Sequence, residues 1–173
     1  MTLSRLILGL LAIAPMSGYD VKRHVDSTVR HFWAADKAQV YRALATLVRE
    51  GYATVEVVRQ ETRPDRLEHH ITEAGRIALH DWLASPLPAP AERDPFLARL
   101  FFAGELDRDQ VLAFLRRRRE HAEALLAALT AVGHAPGAST DRSAYLRNAT
   151  LENGLAHVRA ELAWLEAVEK DLP

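Results

Sequence analysis

Polar side chains able to bind nucleic acid share one face of the segment 36–53, whose sequence is DKAQVYRALATLVREGYA. At about 100° per residue, the positions opposite Val40 are Ala38, Arg42, Ala45 and Arg49, with Thr46 beside them. This face has no acid between Asp36 and Glu50. Guanidinium and amide groups on a flat surface of small residues are typical of contacts to phosphates and base edges. Arginines that only keep a helix solvated are the alternative interpretation.

The same segment also predicts its own helix. Asp36 and Gln39 have the spacing of a reciprocal N-cap, and Gly51 tolerates the left-handed conformation common after a helix C-terminus. The apolar positions recur as a stripe that packs against a core: Val40, Leu44, Leu47 and Val48. A helix with one buried face and one polar face is therefore expected.

Composition indicates a globular protein without a bulk attraction to nucleic acid. The 173 residues are 49% hydrophobic and 26% charged, with a net charge of −1 and a pI of about 6.7. A protein that coats nucleic acid would be strongly basic, so any contact has to come from a local patch. With no cysteine, the chain has no disulfide, no thiol nucleophile and no cysteine-ligated zinc.

The N-terminal apolar run, LILGLLAIA after Arg5, has two interpretations. It resembles the apolar part of a signal peptide, but only one arginine precedes it, and the run is too short to cross a bilayer as a helix. It also continues directly into PMSGYDVKRHV, which has the features of a second helix. We therefore expect a buried first helix, a cytoplasmic protein and no membrane partner.

The elements around these motifs divide the chain into two predicted domains, residues 1–85 and 95–173. Proline-rich residues 85–95, SPLPAPAERDP, form the connection. In the first domain we expect helices at 3–13, 17–28, 36–51 and 72–85, and strands at 54–59 and 66–71. In the second domain we expect helices at 96–102, 107–131 and 140–171.

The last helix contains apolar residues at alternating spacings of four and three, the pattern of a coiled-coil seam. The seam residues are Leu151, Leu155, Val158, Leu162 and Leu165. This pattern predicts a homodimer interface, although a helix pair within one chain would show the same spacing.

Four segments of the first domain carry family-specific motifs in a fixed order: PMSGYDVKRHV, FW, KAQVYRALATLVREGYA and TEAGRIAL. They include a Gly-Tyr pair at the second helix, Tyr then Ala-Leu in the third, and a Thr-Glu-Ala-Gly helix start. In these features the chain resembles the PadR family of bacterial transcriptional regulators. The resemblance implies a mainly α fold, with an N-terminal winged helix-turn-helix, a small β-hairpin wing and an all-helical C-terminal dimerisation and effector domain.

The resemblance also implies a DNA-binding surface, with the third helix in the major groove. Gln39 would read adenine, and Lys37 and Arg42 would reach guanine edges or phosphates. Tyrosine hydroxyls, N–H groups at the second helix and wing arginines would contact the DNA backbone. The full expected set is Ser17, Gly18, Tyr19, Lys37, Ala38, Gln39, Tyr41, Arg42, Thr46, Arg63 and Arg66.

The second wing strand departs from the family pattern. Arg66 is kept, but His69 stands where a tyrosine is usual and Ile71 where a leucine is usual. Glu68 is also unexpected beside DNA phosphates. These departures put in question whether the wing contacts DNA.

The function implied by the resemblance is that of a dimeric repressor, which binds a near-palindromic operator and is released by a small ligand, for which aromatic compounds are the candidates. An aromatic effector pocket would involve Phe32, Trp33, Trp82 and Trp164, for which burial in the core is the alternative interpretation.

Other classes of function find less support in the sequence. No G-x-S-x-G motif, phosphate-binding loop or H-x-x-x-H spacing occurs, so we expect no enzyme, no cofactor and no metal site. A winged-helix module that binds another protein instead of DNA is the remaining alternative.

Overall fold

The computed structural model describes residues 2–29, 32–59, 65–87, 93–134, 136 and 140–173. The chain forms two compact units, residues 1–88 and 89–173. Each unit contains hydrophobic clusters of its own.

The N-terminal unit combines helices with a small sheet. Its elements are α1 (Thr2–Ile13), β1 (Met16–Ser17), α2 (Gly18–His24), a π-helical turn (Val25–Val29), α3 (Lys37–Arg49), β2 (Ala53–Val58), β3 (Arg66–Ile71) and α4 (Glu73–Ala84). The strands form an antiparallel sheet in the order β1-β3-β2, so β3 pairs on both sides. This is the predicted winged helix-turn-helix arrangement.

Two local features of this unit differ from the sequence prediction. Strand β1 has two residues, too few to show the alternation that marks a strand, and its pairing with β3 adds a third strand to the hairpin. Regular helix α2 ends at His24, not near Thr28. The Thr28 hydroxyl donates to the His24 carbonyl at 2.7 Å, a side-chain bond that competes with the backbone ladder where the π-helical turn replaces the α-helix.

The apolar stripe of α3 fixes the orientation of that helix. Val40, Leu44 and Leu47 are at most 1% exposed and belong to one cluster with residues of α1 and α2. Full burial of such a side chain stabilises the fold by about 1.5–3 kcal/mol. Val48, predicted as part of the stripe, is 36% exposed because it lies at the edge of this face.

A joint between α3, the sheet and α4 explains the Thr-Glu-Ala-Gly motif. The Thr72 hydroxyl donates to the Gly51 carbonyl at 2.7 Å and accepts from the Gly75 N–H at 3.1 Å, so it caps α4. A Cβ on Gly75 would lie 2.2 Å from the Tyr52 carbonyl oxygen. Only glycine therefore lets α4 approach this backbone.

The C-terminal unit is helical in its described residues. It contains α5 (Pro95–Phe101), a 3₁₀ turn (Ala103–Glu105), α6 (Arg108–Val132) and α7 (Arg142–Asp171). Helix α6 begins with a capping box between Asp107 and Gln110. None of the helices in the described parts of the chain combines the length and apolarity of a membrane span.

The predicted coiled-coil seam packs inside this unit. Leu151, Leu155 and Val158 form a cluster with residues of α6, against which Leu162 also packs, and Leu165 is fully buried in a second cluster with Leu115. Arg118–Glu161 and Arg119–Glu169 ion pairs flank the same helix pair. These five side chains pack within clusters that include α6 of the same chain, and spacing alone cannot distinguish a partner helix of the same chain from one of a second chain. Their assignment to a dimer interface stays a prediction.

Candidate nucleic-acid interface

Helix α3 presents its polar face away from the core. Asp36 caps the helix by accepting from the Gln39 N–H at 2.7 Å, and the Gln39 side chain accepts from the Asp36 N–H at 2.9 Å. This capping box rigidly defines the first turn. The exposed residues of the outer face are Lys37, Ala38, Gln39, Tyr41, Arg42, Ala45 and Arg49, while Thr46 is half-buried.

Two of the three cations on this face, Lys37 and Arg42, are available for an external anion. Arg42 is exposed and forms no ion pair with any described residue. The Lys37 ammonium lies 5.7 Å from the centre of the Tyr41 ring, an exposed arrangement that contributes little energy. Arg49, near the C-terminus of the helix, instead contacts Thr46 at 3.4 Å and Glu50 at 4.0 Å.

Gln39 has a structural role that competes with base reading. Its amide oxygen accepts from the Asp36 N–H in the capping box, and this bond fixes how the amide is oriented towards a base. Bidentate recognition of adenine requires both atoms. Gln39 can therefore donate a single bond to a base without loss of the cap.

The Ser17 side chain and the Cα of Gly18 at the start of α2 are not accessible to an external ligand. Ser17 is 9% exposed, and its hydroxyl donates to the Asp20 carboxylate at 2.6 Å. Gly18 is buried beneath the Tyr41 ring, which would lie 2.9 Å from an added Cβ. Tyr19, in contrast, is 67% exposed and available for an external contact.

The wing residue Arg66 forms ion pairs with two carboxylates of its own chain. Arg66 Nη2 lies 2.5 Å from a Glu68 oxygen, and Arg66 Nη1 lies 3.6 Å from an Asp20 oxygen. An open cleft of about 1280 Å³ is lined by residues of α2, α3 and the sheet, including Asp20, Val48 and Arg66. Arg63, the other predicted wing contact, lies outside the described residues.

Two groups beside the cleft have displaced pKa values. The Ser17 hydroxyl, followed by the Arg66 and Arg23 guanidinium groups, holds the pKa of Asp20 below its usual value against the effect of burial. Burial lowers the pKa of His69, and the neighbouring His70 acts in the same direction. Asp20 was absent from the predicted site, although it lies in the first turn of α2, three residues after the N-cap Ser17.

The four residues predicted for an effector pocket divide between the units. Phe32, Trp33 and Trp82 belong to the N-terminal unit, where Phe32 is 51% and Trp82 36% exposed. Trp164 lies in the C-terminal unit, with its ring edge-on to Phe96 at 6.2 Å. Across the described ranges, no group of three acidic or histidine side chains is arranged to hold a metal ion.

A capped helix with an outward cationic face, a sheet wing and a cleft between them define a winged-helix DNA-binding protein. Residues 7–81 match the model of the transcriptional regulator PadR-like family, and residues 92–172 match the virulence activator alpha C-terminal model. The chain is 31% identical over 124 residues to the negative transcriptional regulator PadR of Bacillus subtilis. The matched region covers 71% of this chain and 68% of that protein.

Solved structures give the same result over nearly the whole chain. Bacillus subtilis PadR in complex with operator DNA has a TM-score of 0.84 at 28% identity, covering 98% of both chains. The same protein in complex with p-coumaric acid has a TM-score of 0.74 at 26% identity, again covering 98% of both. The chain belongs to the PadR-like family and to its longer subclass. It is a transcriptional regulator, not an enzyme, as the sequence predicted.

Proposed function

We propose that this regulator is a homodimeric repressor that binds a near-palindromic operator through α3. The observation that carries the proposal is the exposed, acid-free face of α3, on which Arg42 has no ionic partner among the described residues. An unpaired guanidinium on the first turns of a recognition helix is positioned for phosphates and guanine edges. Its relative from Bacillus subtilis is known in complex with operator DNA.

Within this proposal the predicted contacts have different tasks. Lys37 and Arg42 bind phosphate or guanine, Gln39 donates one bond to a base, and Ala38 and Thr46 allow close approach. Tyr19 and Tyr41 donate to the DNA backbone. Ser17 and Gly18 act through backbone N–H groups, since their side-chain surface is closed. Arg63 remains a wing contact proposed from sequence alone.

The predicted α7 seam is one proposed surface for dimerisation, and a pair of exposed aromatic side chains in the C-terminal unit is a second. Phe101 and Phe102 are 82% and 72% exposed, with ring centres 5.1 Å apart, and adjacent exposed aromatic side chains favour burial by a partner. A dimer that binds two half-sites on one face of the duplex would hold its two α3 helices about 34 Å apart along the DNA, which requires a near-palindrome. Light scattering at micromolar concentration should give twice the mass of the chain; a monomer would contradict the dimer.

A small aromatic anion is the proposed releasing ligand. A cleft in the C-terminal unit has Phe96 and Phe114, stacked with centres 4.8 Å apart, and a rim that includes Arg99 and Arg117. Trp164 contacts Phe96 next to this cleft. Such a ligand would release DNA only if it bound the DNA-free conformation more tightly. The solved relative with p-coumaric acid supports this chemical class.

The decisive test is fluorescence anisotropy with the DNA immediately upstream of the gene, titrated at two salt concentrations with excess random-sequence competitor. We expect competitor-resistant binding with a dissociation constant of about 10⁻⁸ M or lower at physiological salt. Lys37→Ala should weaken it by about 1–3 kcal/mol. Binding lost equally to competitor would favour the alternative, a winged helix that binds another protein.

A further inference from the structure

The wing arginine Arg66 is held by two carboxylates of its own chain. Its two terminal nitrogens face Glu68 at 2.5 Å and Asp20 at 3.6 Å. Its Nε atom is buried and has no hydrogen-bond partner within the described ranges. The side chain as a whole is 39% exposed, so these contacts cover it only in part.

The register of the sheet explains how Glu68 reaches this position. Strand β3 is central, and Glu68 lies opposite Ser17 of β1 and Glu56 of β2. Residues two apart on a strand share a face, so Arg66, Glu68 and His70 point to the same side. His70 Nε2 lies 3.2 Å from Glu68 and 3.4 Å from Glu56. Glu68 therefore has a basic neighbour on each side along its strand.

The low exposure of both carboxylates indicates that their contacts with Arg66 belong to the folded structure and are not chance surface contacts. The side chains of Glu68 and Asp20 are 19% and 17% exposed, whereas Glu56 is 70% exposed. A largely buried carboxylate needs a cation and loses free energy if it is left alone. Asp20 already accepts from the Ser17 hydroxyl and pairs with Arg23 at 3.0 Å, so Glu68 is the closer and less occupied partner of Arg66.

We infer that Glu68 acts as an intramolecular latch, which withholds Arg66 from DNA and lowers the affinity of the wing for phosphate. The inference rests on the proposed DNA-binding function and concerns residues that line or adjoin the same cleft. Phosphate would have to compete for Arg66 with two carboxylates that are already in place. The wing of this protein is thereby weakened as a sequence-independent anchor, and a larger share of binding falls to α3, which reads sequence.

Release of Arg66 has a quantitative consequence. Each additional phosphate contact steepens the dependence of log affinity on log salt by about 0.9, which corresponds to about fivefold tighter binding at 0.15 M salt. The gain is independent of base sequence, because it comes from the backbone. It should therefore appear with any duplex, including one that contains no operator.

The test uses the full-length chain and a fluorescent 30-base-pair duplex of random sequence, titrated by anisotropy at several salt concentrations. Glu68→Gln should bind about fivefold more tightly at 0.15 M salt, with a slope steeper by about 0.9. The glutamine of Glu68→Gln keeps an amide oxygen that can still accept from Arg66, whereas Glu68→Ala leaves no acceptor at this position. Glu68→Ala should therefore give at least the same gain in affinity. The double variant Glu68→Gln/Arg66→Ala should return to wild-type affinity and slope.

Glu56→Gln is the matched control. It removes an equal charge from the residue directly opposite in the sheet, but Glu56 has no contact with Arg66 among the described residues. Its slope should equal that of the wild type, and its affinity should rise by less than twofold. Equal gains from Glu56→Gln and Glu68→Gln would mean that only net charge matters, and would overturn the latch. Unchanged binding by both Glu68 variants would also overturn it.

These outcomes are separate from failure of the proposed function. If the wild type shows no preference for operator DNA, the operator proposal fails, whereas the random duplex still reports the latch. If the wild type prefers the operator and the Glu68 variants gain nothing, only the latch fails. Circular dichroism melting of each variant shows whether the fold is retained before binding is interpreted.

Discussion

Helix α3 and the wing face the same cleft, but they differ in whether their arginine side chains form ion pairs within the chain. On α3, Arg42 is exposed and unpaired among the described residues, and the outer face has no acid between its caps. On the wing, Arg66 is paired with Glu68 and with Asp20 of α2. The same residue type is therefore available for a ligand in one place and used internally in the other. Counting basic residues near a cleft does not define a DNA-binding surface.

Gly75 of α4 packs against the backbone of Tyr52, which lies between α3 and strand β2 of the wing, so a larger residue there should disturb the contact. Gly75→Ala places a Cβ against the Tyr52 carbonyl oxygen at 2.2 Å, so α4 or the sheet has to move. We expect a loss of about 3 kcal/mol in unfolding free energy, the upper part of the range for overpacking, measured by urea denaturation.

Gly9→Ala is the control for this substitution. Gly9 lies inside α1, and an added Cβ would have no neighbour within 4 Å. The change should stabilise the protein by about 0.5–1 kcal/mol, because alanine is the better helix former. If both variants had the same stability, close approach at Gly75 would not be the reason for glycine there.

The difference between the two arginines is directly measurable in operator binding. Arg42→Ala should weaken binding by about 1–3 kcal/mol and reduce the salt slope by about one, because a direct contact is lost. Arg66→Ala should leave the slope unchanged and weaken affinity by less than about threefold, since it removes only a screened charge. Anisotropy titrations at four salt concentrations measure both quantities. Equal slopes for the two variants would remove the distinction between α3 and the wing.

The capping box of α3 has a counterpart at the start of α6 in the other unit. Comparing variants of the two caps distinguishes an effect on stability from an effect on DNA binding. Asp36→Ala and Asp107→Ala each remove an N-cap that accepts a backbone N–H and is paired with a glutamine. Each should lower the unfolding free energy of its own unit by about 1 kcal/mol. Only Asp36→Ala should also weaken operator binding, because the turn that presents Lys37 and Gln39 loses its order. Weakened binding by Asp107→Ala would argue against this assignment.

The smallest expected effect concerns pH and belongs to the wing. Burial lowers the pKa of His69 in the native state below its ordinary value of 6.5. The unfolded chain therefore binds a proton more readily, so the stabilisation is complete above pH 6.5 and is lost as pH falls through the native pKa. Urea denaturation at pH 7.5 and 5.5 should show a smaller difference for His69→Gln than for the wild type. His80→Gln, at an 84% exposed side chain, should not reduce that difference.

Where the signal was local, prediction from sequence succeeded. The capping box and the apolar stripe of α3 were predicted, because a cap spans three residues and the stripe repeats every three or four. The family and the fold class followed from the resemblance carried by four short motifs in a fixed order. The two-residue strand β1 was missed since no periodicity exists over so short a length. The early end of α2 was missed because Thr28 bonds to the His24 carbonyl, a choice that propensity does not determine.

The sequence by itself determined which face of α3 is polar and where that helix begins, since both follow from the spacing of neighbouring residues. Only the tertiary structure decided which partner each group received. The α7 seam pairs with α6 of the same chain, and Arg66 pairs with Asp20 of a distant segment. The physical reason is that a repeat specifies a face but not what covers it, and a charge specifies a need for a counter-charge but not which one.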